Sequence, residues 1–544
     1  MTDVFGELRS LAHQRPARAT FASILRTLVD CADRDGDDAR MEHEWVPYLD
    51  GVLSAWPDDA RACPDELARL LERSDAPWGK LVRTLDYSEG RLSASRVEAI
   101  AGAEHLAHIT RLDLRAAHSS WADLEALVDR APFERLESLA LRKAASSGVD
   151  LDVMRKWFTS PMVERLEELH FTGWAKFNAR GAKLMWETLP LSSLRVLDLR
   201  MSGIGKTQLR RLFELEELAR LEHLELSGVE FNSAASLAMA RAVHLKSLRV
   251  LLLDECGVDW SVFGSLAASK HFTNLERLSL QSNLSSAEHL ELLASGEVFG
   301  SLRTLSLASG EGIADIATWL ATYASHFPEL TVVEVSEAAL TNLAALGRAP
   351  PPNLRALRLD GIGESGVAGL GDLSQAGFWD GLEVLSLRFA LAQAYRNQSA
   401  DLVGRGVRLP SAPRYLDLSG NRFPPDALAK LFEGVDTRHL EVLLLQRLAG
   451  TRPEEVEALL ESIDTTRLRA LDVHGSMTVE AIERLLHEGH LPSLEVLYSS
   501  RHEKPRAEYE NLFRLIDQIP GVRMESPWEE RPHRVQWDAV VASL

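Results

Sequence analysis

The sequence predicts an α/β fold, a solenoid of strand–helix units with a concave parallel sheet and convex helices. Two observations predict it. The pattern apolar-x-x-apolar-x-apolar recurs in sixteen copies, from Val82 to Leu494, at spacings of 24 to 31 residues. Between the copies, apolar residues return at helical spacing. Such units bury their apolar faces only by stacking on their neighbours, so the repeats predict one elongated core.

Each copy of the pattern predicts a short strand followed by a helix. In "LRVLDL" and "LEVLLL" the second half alternates, which is the period of a strand with one buried face. In the copies that start at Leu194 and Pro413, the apolar helical sets are Leu209, Leu212, Phe213 and Leu428, Leu431, Phe432. Because helices are wider than strands, the sheet is expected on the concave side.

The residue after each motif start alternates in charge along most of the array, as in Arg195, Glu222, Arg249 and Glu276. At strand spacing these side chains would be neighbours along the sheet. We expect ion pairs between adjacent repeats, each contributing about 0.2 to 1 kcal/mol. The alternation also predicts that repeats occur in pairs.

One repeat, "LRVLLLDECGV" (248–258), places Cys256 at its ninth position, and two others place Asn421 and Asn283 there. These residues and the repeat length resemble the leucine-rich repeat proteins, in particular their ribonuclease-inhibitor-like class. The resemblance covers about residues 82 to 499. It implies a protein-binding horseshoe with no inherent catalytic activity and no fixed partner.

Composition narrows the classes of partner. The 544 residues carry a net charge of −20 and 45% hydrophobic residues, which is typical of a soluble globular protein. The acidic excess argues against nucleic acid and anionic membranes as partners. Cys31, Cys63 and Cys256 have no disulfide or zinc spacing. We therefore expect a cytoplasmic protein without metal or cofactor, and without a secretion or membrane-spanning segment.

The two ends depart from the repeat. Residues 1–78 show helical periodicity and predict an N-terminal cap, whose expected core aromatics are Trp45, Tyr48, Trp56 and Trp78. The solenoid is predicted over residues 79–499. Residues 500–544 predict a final helix, a C-terminal cap and a tail. Trp528, Trp537, Val540 and Val541 in this tail either fold back on the last repeat or form a partner-binding segment.

The stretch "LDLRMSGIGKTQLRRLF" (197–213) raises the alternative of a nucleotide-binding regulator. Gly205, Lys206 and Thr207 resemble the end of a phosphate-binding loop, and Asp254 follows a later strand. A P-loop needs a glycine where this chain has Arg200. Thr207 is explained as a helix N-cap, so ordinary repeat register accounts for the motif.

An acidic stretch near the N-terminus resembles a calcium loop only in part. Asp33, Asp35, Asp37 and Glu44 match ligand positions of an EF-hand, but Asp38 stands where the loop needs glycine. We interpret the stretch as a solvated acidic loop between helices.

Positions three, five and seven of each motif are expected on the concave face, where two strips stand out. The arginine strip consists of Arg111, Arg115, Arg142 and Arg200. It suits a carboxylate-rich or phosphorylated partner, unless neighbouring carboxylates such as Asp113 and Asp198 simply pair with it.

The second, or distal, strip is apolar and aromatic, and consists of Tyr415, Val442, Leu444, Val496 and Tyr498. Exposed clusters of this kind are typical of recognition surfaces. Alternatively, tail residues 523–544 cover the strip and make it core.

The sequence contains no nucleophile-elbow G-x-S-x-G and no HExxH. The function predicted is therefore a non-catalytic scaffold that binds a protein partner on its concave face and is a monomer without it. An inhibitor or immunity-like partner of a specific enzyme is an alternative form of the same function.

Overall fold

The computed structural model describes most of the chain in two compact units, Met1–Gly257 and Val258–Leu544. The described residues are 4–35, 38–72, 75–87, 94–115, 121–130, 133–142, 150–173, 177, 179–257, 260–283, 287–296, 300–308, 316–336, 340–390, 401–498, 523–525 and 532–544. Each unit consists of short strands that alternate with helices.

The described strands of unit 1 are β1 Ala62–Cys63, β2 Thr84–Asp86, β3 Arg111–Leu114, β4 Ser138–Arg142, β5 Glu168–Thr172, β6 Val196–Asp198, β7 His223–Glu225 and β8 Val250–Leu252. Its α-helices are α1 Val4–Ala12, α2 Arg18–Asp35, α3 Asp38–Arg40, α4 Val46–Leu53, α5 Asp65–Leu71, α6 Ala94–Ala101, α7 Trp121–Arg130, α8 Leu151–Thr159, α9 Ala179–Thr188, α10 Lys206–Leu212 and α11 Ser233–Arg241. A π-helix, Met41–Trp45, joins α3 to α4.

The described strands of unit 2 are β9 Arg277–Ser279, β10 Thr304–Ala308, β11 Val332–Ser336, β12 Ala356–Asp360, β13 Val384–Ser386, β14 Tyr415–Asp417, β15 Val442–Leu444, β16 Ala470–Asp472, β17 Val496–Tyr498 and β18 Arg523–Glu525. Its α-helices are α12 Trp260–Ala268, α13 Ala287–Ala294, α14 Ile316–Thr322, α15 Leu343–Arg348, α16 Gly363–Leu373, α17 Ala427–Leu431, α18 Pro453–Ser462, α19 Val479–His487 and α20 Pro532–Val541.

Within each unit the strands pair in parallel and in chain order. Leu112 of β3 faces Leu139 of β4, which faces Leu169 of β5, so equivalent motif positions align from one repeat to the next. Unit 2 repeats this register, as in Leu416, Leu443 and Leu471. The predicted α/β repeat solenoid, an open parallel sheet with flanking helices, is confirmed.

The core of each unit lies between the sheet and the helices. The first and fourth motif positions are fully buried there, as for Leu166 and Leu169, because alternate strand residues point to opposite faces. The third, fifth and seventh positions therefore lie on the other side, which we call the strand face. Partner binding was predicted on this face.

The ninth motif position holds the turn that follows the strand. The Cys256 thiol donates to the carbonyl oxygen of Leu226 at 3.1 Å, and burial raises its pKa to about 12. The Asn421 amide donates to Leu387 O at 2.7 Å. Each of these side chains satisfies a buried carbonyl of the preceding repeat, which explains why a small polar donor stands there.

The predicted charge alternation forms a row of ion pairs along the edge of the sheet, which we call the charge ladder. In unit 2 Arg414 lies between Glu383, at 3.6 Å, and Glu441, at 2.7 Å. Arg469 lies between Glu441, at 2.6 Å, and Glu495, at 3.8 Å. In unit 1 the corresponding pairs are Arg195–Glu167 at 3.7 Å and Arg195–Glu222 at 2.9 Å. The expected ion pairs between adjacent repeats are confirmed.

The N-terminal region is mainly helical and also contains β1, and Trp45, Trp56 and Trp78 are buried in it. Tyr48 is half-buried and packs edge-on against Phe5, with ring centroids 5.4 Å apart. Arg18 reaches the first predicted repeat, where it donates to the Asp86 carboxylate at 2.7 Å.

The sheet extends beyond the predicted repeats at both ends. β1 lies inside the predicted cap of residues 1–78 and pairs with β2. β18 lies inside the predicted tail and pairs with β17. The helix expected after Leu494, over residues 501–522, falls outside the described residues.

Candidate protein-binding surfaces

The distal strip is not a free surface in this structure. Its residues Tyr415, Val442, Leu444, Val496 and Tyr498 are all at most 4% exposed. They form one apolar cluster with two side chains of α20, Trp537 and Val540. The expectation that this strip is exposed is therefore wrong. The alternative, in which the tail residues 523–544 cover the strip, describes the structure.

Helix α20 lies across the strand face of unit 2. The Trp537 ring packs edge-on against Tyr415, with centroids 5.5 Å apart, and the Arg358 guanidinium lies 4.3 Å from the centre of the Trp537 ring. Val541 and Leu544 pack on the same cluster. A buried aromatic anchor of this size contributes both apolar burial and ring geometry to the contact.

Polar contacts hold α20 at its edges. The Arg277 guanidinium of β9 lies 3.1 Å from the Asp538 carboxylate, and the Gln536 amide donates to the Tyr498 hydroxyl of β17 at 2.8 Å. Arg355 donates to the carbonyl oxygen of Leu544 at 3.2 Å. The helix is thus joined to strands from β9 to β17.

Carboxylates lie buried on the same strand face. Burial raises the pKa of Asp417 to about 6 and that of Asp472 to about 8, and it also raises the pKa of Asp360. Backbone N–H groups of Ser419 and His474 donate to Asp417 and Asp472, at 2.9 and 3.0 Å. These bonds only partly offset the cost of removing a charge from water.

The arginine strip of unit 1 is paired with acids. Arg111 forms a two-pronged ion pair with Glu168, at 2.5 and 3.1 Å. The other two pairs are local in sequence, Arg115 with Asp113 at 2.5 Å and Arg200 with Asp198 at 2.6 Å. The alternative to a binding role, that neighbouring carboxylates pair with these arginines, therefore describes Arg111, Arg115 and Arg200. Arg115 and Arg200 nevertheless keep 40% and 42% of their side chains exposed.

Arg142 differs from the other three arginines. It is exposed at the end of β4, and its side chain runs past Gly173, where a Cβ would lie 3.2 Å from the Arg142 Nε. Among the described residues no carboxylate lies within ion-pair distance of it. Arg142 is thus the arginine of the strip whose charge is least neutralised by its surroundings.

His170 is a site residue that the sequence analysis missed. Its Nδ1 lies 3.2 Å from Asp198 and its Nε2 lies 3.9 Å from Glu168, so the imidazole links two arginine-bound carboxylates. Burial opposes its charged form, but the two carboxylates outweigh burial and raise the pKa of His170. Stacking the fifth motif positions would have placed His170 beside Asp198, since the two residues are paired in register.

The carboxylates of this network are stabilised in their charged forms. Although burial alone would raise both values, hydrogen bonds from His170 and arginines lower the pKa of Glu168 to about 2 and that of Asp198 to about 2. At neutral pH the network therefore consists of charged groups held in fixed positions.

The loop resembling a P-loop has no phosphate-binding geometry. Gly205 is extended, α10 begins at Lys206, and the Lys206 ammonium lies 3.2 Å from Glu230. Thr207 lies within α10 rather than at its N-cap, which corrects that detail of the sequence interpretation. A nearby cavity of about 260 Å³ is lined by Lys183, Trp186, Glu187, Thr207, Gln208, Arg210, Arg211 and Leu215.

The acidic stretch near the N-terminus is helical rather than a calcium loop. Asp33 and Asp35 belong to α2, Glu44 lies in the π-helix, and Asp37 falls outside the described residues. Within the described part of the chain no cluster of three His, Cys, Asp or Glu side chains could hold a metal ion. Likewise, none of the described helices is both long and apolar enough to cross a bilayer.

Comparison of the chain with solved structures finds matches of low sequence identity and low TM-score. No protein-family profile and no curated protein sequence matches it. A chain in a crystal structure of the Rad7 and Elc1 complex from yeast is 15% identical, with 95% of this chain and 92% of that chain covered and a TM-score of 0.33. An internalin (inlF) from Listeria monocytogenes is 14% identical, with 74% of this chain and 93% of that chain covered and a TM-score of 0.29. The fold assignment rests on the strand pairings above and not on these likenesses.

Proposed function

We propose that the protein is a non-catalytic scaffold and that its accessible binding surface is the strand face of unit 1. The observation that carries the proposal is the state of Arg115 and Arg200. Asp113 and Asp198 hold one edge of each guanidinium at 2.5 and 2.6 Å, while about two fifths of each side chain stays exposed. Because the carboxylates already order these two arginine side chains, little further side-chain entropy is lost when a partner binds them.

The chemistry of this face suits an anionic segment of a protein partner. A guanidinium held by one carboxylate still has donors for a second, and arginine binds carboxylates and phosphates in a fork geometry. Arg142 adds an exposed positive charge to the strip. We propose a carboxylate-rich or phosphorylated segment as the ligand, in a protein whose net charge of −20 otherwise repels such groups.

The further features of this proposal follow from the sequence. The ribonuclease-inhibitor-like class, a cytoplasmic location and a monomeric state without partner remain proposals. The three cysteines, Cys31, Cys63 and Cys256, are buried thiols, which fits a reducing compartment. The nucleotide-binding alternative is disfavoured, because Lys206 is engaged with Glu230.

The experiment is site-specific photo-crosslinking from a benzophenone amino acid on the strand face of unit 1, next to Arg142. In lysate of the source organism, we expect one predominant crosslinked protein. Arg142→Glu should reduce that product at least tenfold, and Arg115→Gln with Arg200→Gln should reduce it further. Arg142→Glu removes no ion pair with a described residue, so its melting temperature should be unchanged.

The matched control is Lys183→Glu on the helix side of unit 1. Lys183 is 64% exposed, and its replacement by Glu changes the net charge by the same amount as Arg142→Glu. It should leave the crosslinked product intact. An equal loss with Lys183→Glu would indicate a general charge effect, and undiminished crosslinking in the Arg142 variant would refute the proposed surface.

A further inference from the structure

Helix α20 occupies the strand face of unit 2 as a ligand would. Its ten residues follow residues 526–531, and its contacts come from side chains that point into the face, above all Trp537 and Val540. The contact has an aromatic anchor at its centre and ion pairs and hydrogen bonds at its rim. This division resembles a protein–peptide interface more than a continuous core.

The face is shaped to the width of a helix. Gln536 contacts Tyr498 of β17, and Asp538, only two residues on, contacts Arg277 of β9. Eight strand spacings separate β9 from β17, about 38 Å along the sheet at 4.8 Å per step. A helix with side chains is about 10–12 Å across. The sheet of unit 2 must therefore curve around α20 to touch it from both sides.

The contact between α20 and the strand face leaves some buried polar atoms without hydrogen-bond partners among the described residues. Asp417 is fully buried, and its Oδ2 has no hydrogen-bond partner among the described residues; the Trp537 indole N–H likewise has none there. Asp472 is also buried, at 1% exposure. Buried polar groups without partners destabilise the state that removes them from water. Docking of α20 is therefore weaker than its apolar contacts alone imply, which favours exchange.

The arginines of this face define the chemistry of its ligand. Arg358 lies against the ring of Trp537, Arg277 pairs with Asp538, and Arg355 donates to the backbone carbonyl of Leu544, three residues past the end of the helix. Arg358 is already paired with Glu334 at 3.1 Å and presents its guanidinium to the ring, while Arg277 pairs with the acid, so adjacent aromatic and acidic residues on one helix contact both arginines. The apolar distal strip receives the remaining side chains of such a helix.

We propose that the strand face of unit 2 is a second docking groove, for a partner helix that presents an aromatic residue followed by an acid, and that α20 is its internal competitor. A partner must displace α20 to bind. The groove is separate from the surface proposed in unit 1, so either can fail without the other.

The test uses a labelled, hydrocarbon-stapled peptide of residues 530–544, because a free helix of this length is marginal in water. The full chain carrying Trp537→Ala and Val540→Ala, which weakens the internal competitor, should bind this peptide at least tenfold more tightly than the wild-type chain. A peptide carrying Trp537→Ala should bind at least tenfold more weakly. Equal binding by both chains, or by both peptides, would overturn the proposal.

Reversing the charges of the Arg277–Asp538 ion pair gives a second test, which holds even if the double variant unfolds. Arg277→Asp removes the ion pair with Asp538 and the 3.8 Å contact with Glu334, and it should release α20 through repulsion from Asp538. This chain should prefer a peptide carrying Asp538→Arg over the unaltered peptide, while a chain with both Arg277→Asp and Asp538→Arg should again exclude either peptide. Absence of this preference would contradict the groove.

The oligomeric state distinguishes a partner helix from a second copy. Light scattering of the wild-type chain over a hundredfold range of concentration should show a monomer throughout. A dimer that the unaltered peptide dissociates would show that α20 exchanges between copies, and would overturn the assignment of the groove to a different protein.

Discussion

The guanidinium of Arg277 lies 3.1 Å from the carboxylate of Asp538, although 261 residues separate them in sequence. Arg277 stands on β9 of unit 2 and Asp538 on α20. Arg277 also lies 3.8 Å from the buried carboxylate of Glu334. This contact ties α20 to the early strands of unit 2, whereas the Gln536–Tyr498 hydrogen bond ties it to the late ones.

Trp537 is the main apolar anchor of α20. Its side chain is fully buried. Trp537→Ala should remove about 3–5 kcal/mol of docking free energy, as expected for an aromatic ring truncated in a packed site. Hydrogen exchange over residues 532–541 should accelerate, and Tyr415 should become accessible.

The control for this variant is Val243→Ala in unit 1, because Val243 is 69% exposed. It should change the free energy of unfolding by less than about 0.5 kcal/mol. Unchanged exchange of α20 in the Trp537 variant would mean that other contacts hold the helix.

Docking of α20 should weaken as pH rises. The pKa values of Asp417 and Asp472 are raised above the ordinary 3.8, to about 6 and about 8, with burial as the first cause. Protonation therefore favours the docked state, and the contribution of these two carboxyl groups to docking is lost progressively between about pH 4 and pH 8. Fluorine NMR of Trp537 labelled with fluorotryptophan should show the undocked population increase over this range.

Substitutions at the two carboxylates separate their effects. Asp472→Asn should remove the part of the pH dependence above pH 6, while Asp436→Asn, at a partly exposed carboxylate with a lowered pKa, should change nothing in that range. Among the described residues, the other titratable or charged groups on or near this face are Arg277, Glu334, Arg355, Arg358, Asp360, Arg388, Tyr415, Arg447, His474, Tyr498 and Asp538. A helix whose docking does not vary with pH would show that these groups cancel the effect.

His170 should remain protonated above its ordinary pKa of 6.5. Its stabilising contribution is present below 6.5 and is lost as pH rises through the raised pKa; that of Asp198 is lost as pH falls from 3.8 to about 2. Asp198→Asn should lower the pKa of His170 and destabilise unit 1 by about 1–3 kcal/mol. NMR titration of the imidazole measures the first effect, and denaturant unfolding the second.

His244 provides the internal reference for that titration. Burial lowers its pKa, and the other groups that act on it are Glu216 and Glu217. Asp198→Asn should leave the titration of His244 unchanged. Equal movement of both histidines would reveal a general rearrangement in place of a local ion pair.

Glu441 is a centre of the charge ladder, since it pairs with Arg414 and Arg469, which together lower its pKa despite partial burial. Glu441→Gln should lose both pairs, each worth about 0.2–1 kcal/mol. The loss should shrink at 1 M salt, where screening is strong. The loss of stability is measured from melting temperatures at low and high salt. Glu433→Gln, at an exposed position, is the control. A loss that does not depend on salt would show that Glu441 acts through packing and not through its ion pairs.

Lys206→Ala tests the nucleotide alternative. Lys206 is half-exposed and pairs with Glu230. We expect calorimetric titration with ATP and magnesium to give the same result for the variant and the wild-type chain. Binding by the wild-type chain that the variant loses would restore the P-loop interpretation.

The repeat made most of the strands predictable. The motif that starts at Leu440 places a strand at Val442, as found, because spacing and alternation recur in neighbouring repeats. β1 and β18 were missed for a physical reason. Ala62–Cys63 has only two residues, and Arg523–Glu525 has polar residues on both sides of Met524, so neither shows the apolar pattern.

The binding surfaces were less predictable than the fold. The strip positions on the strand face followed from the motif, but their burial depends on Trp537, far along the chain from Tyr415. Sequence alone left the position of that tail open. The pairing of Arg111 with Glu168 joins β3 to β5 across an intervening strand, which no local pattern reveals.

The charge ladder limits how the length of this array can change. Removing one repeat from unit 2 would bring Glu383 beside Glu441, or Arg414 beside Arg469, and replace attraction with repulsion at the junction. Removing two adjacent repeats would restore opposite signs. Shortened or lengthened variants of this protein should therefore fold best when repeats are deleted or duplicated in even numbers.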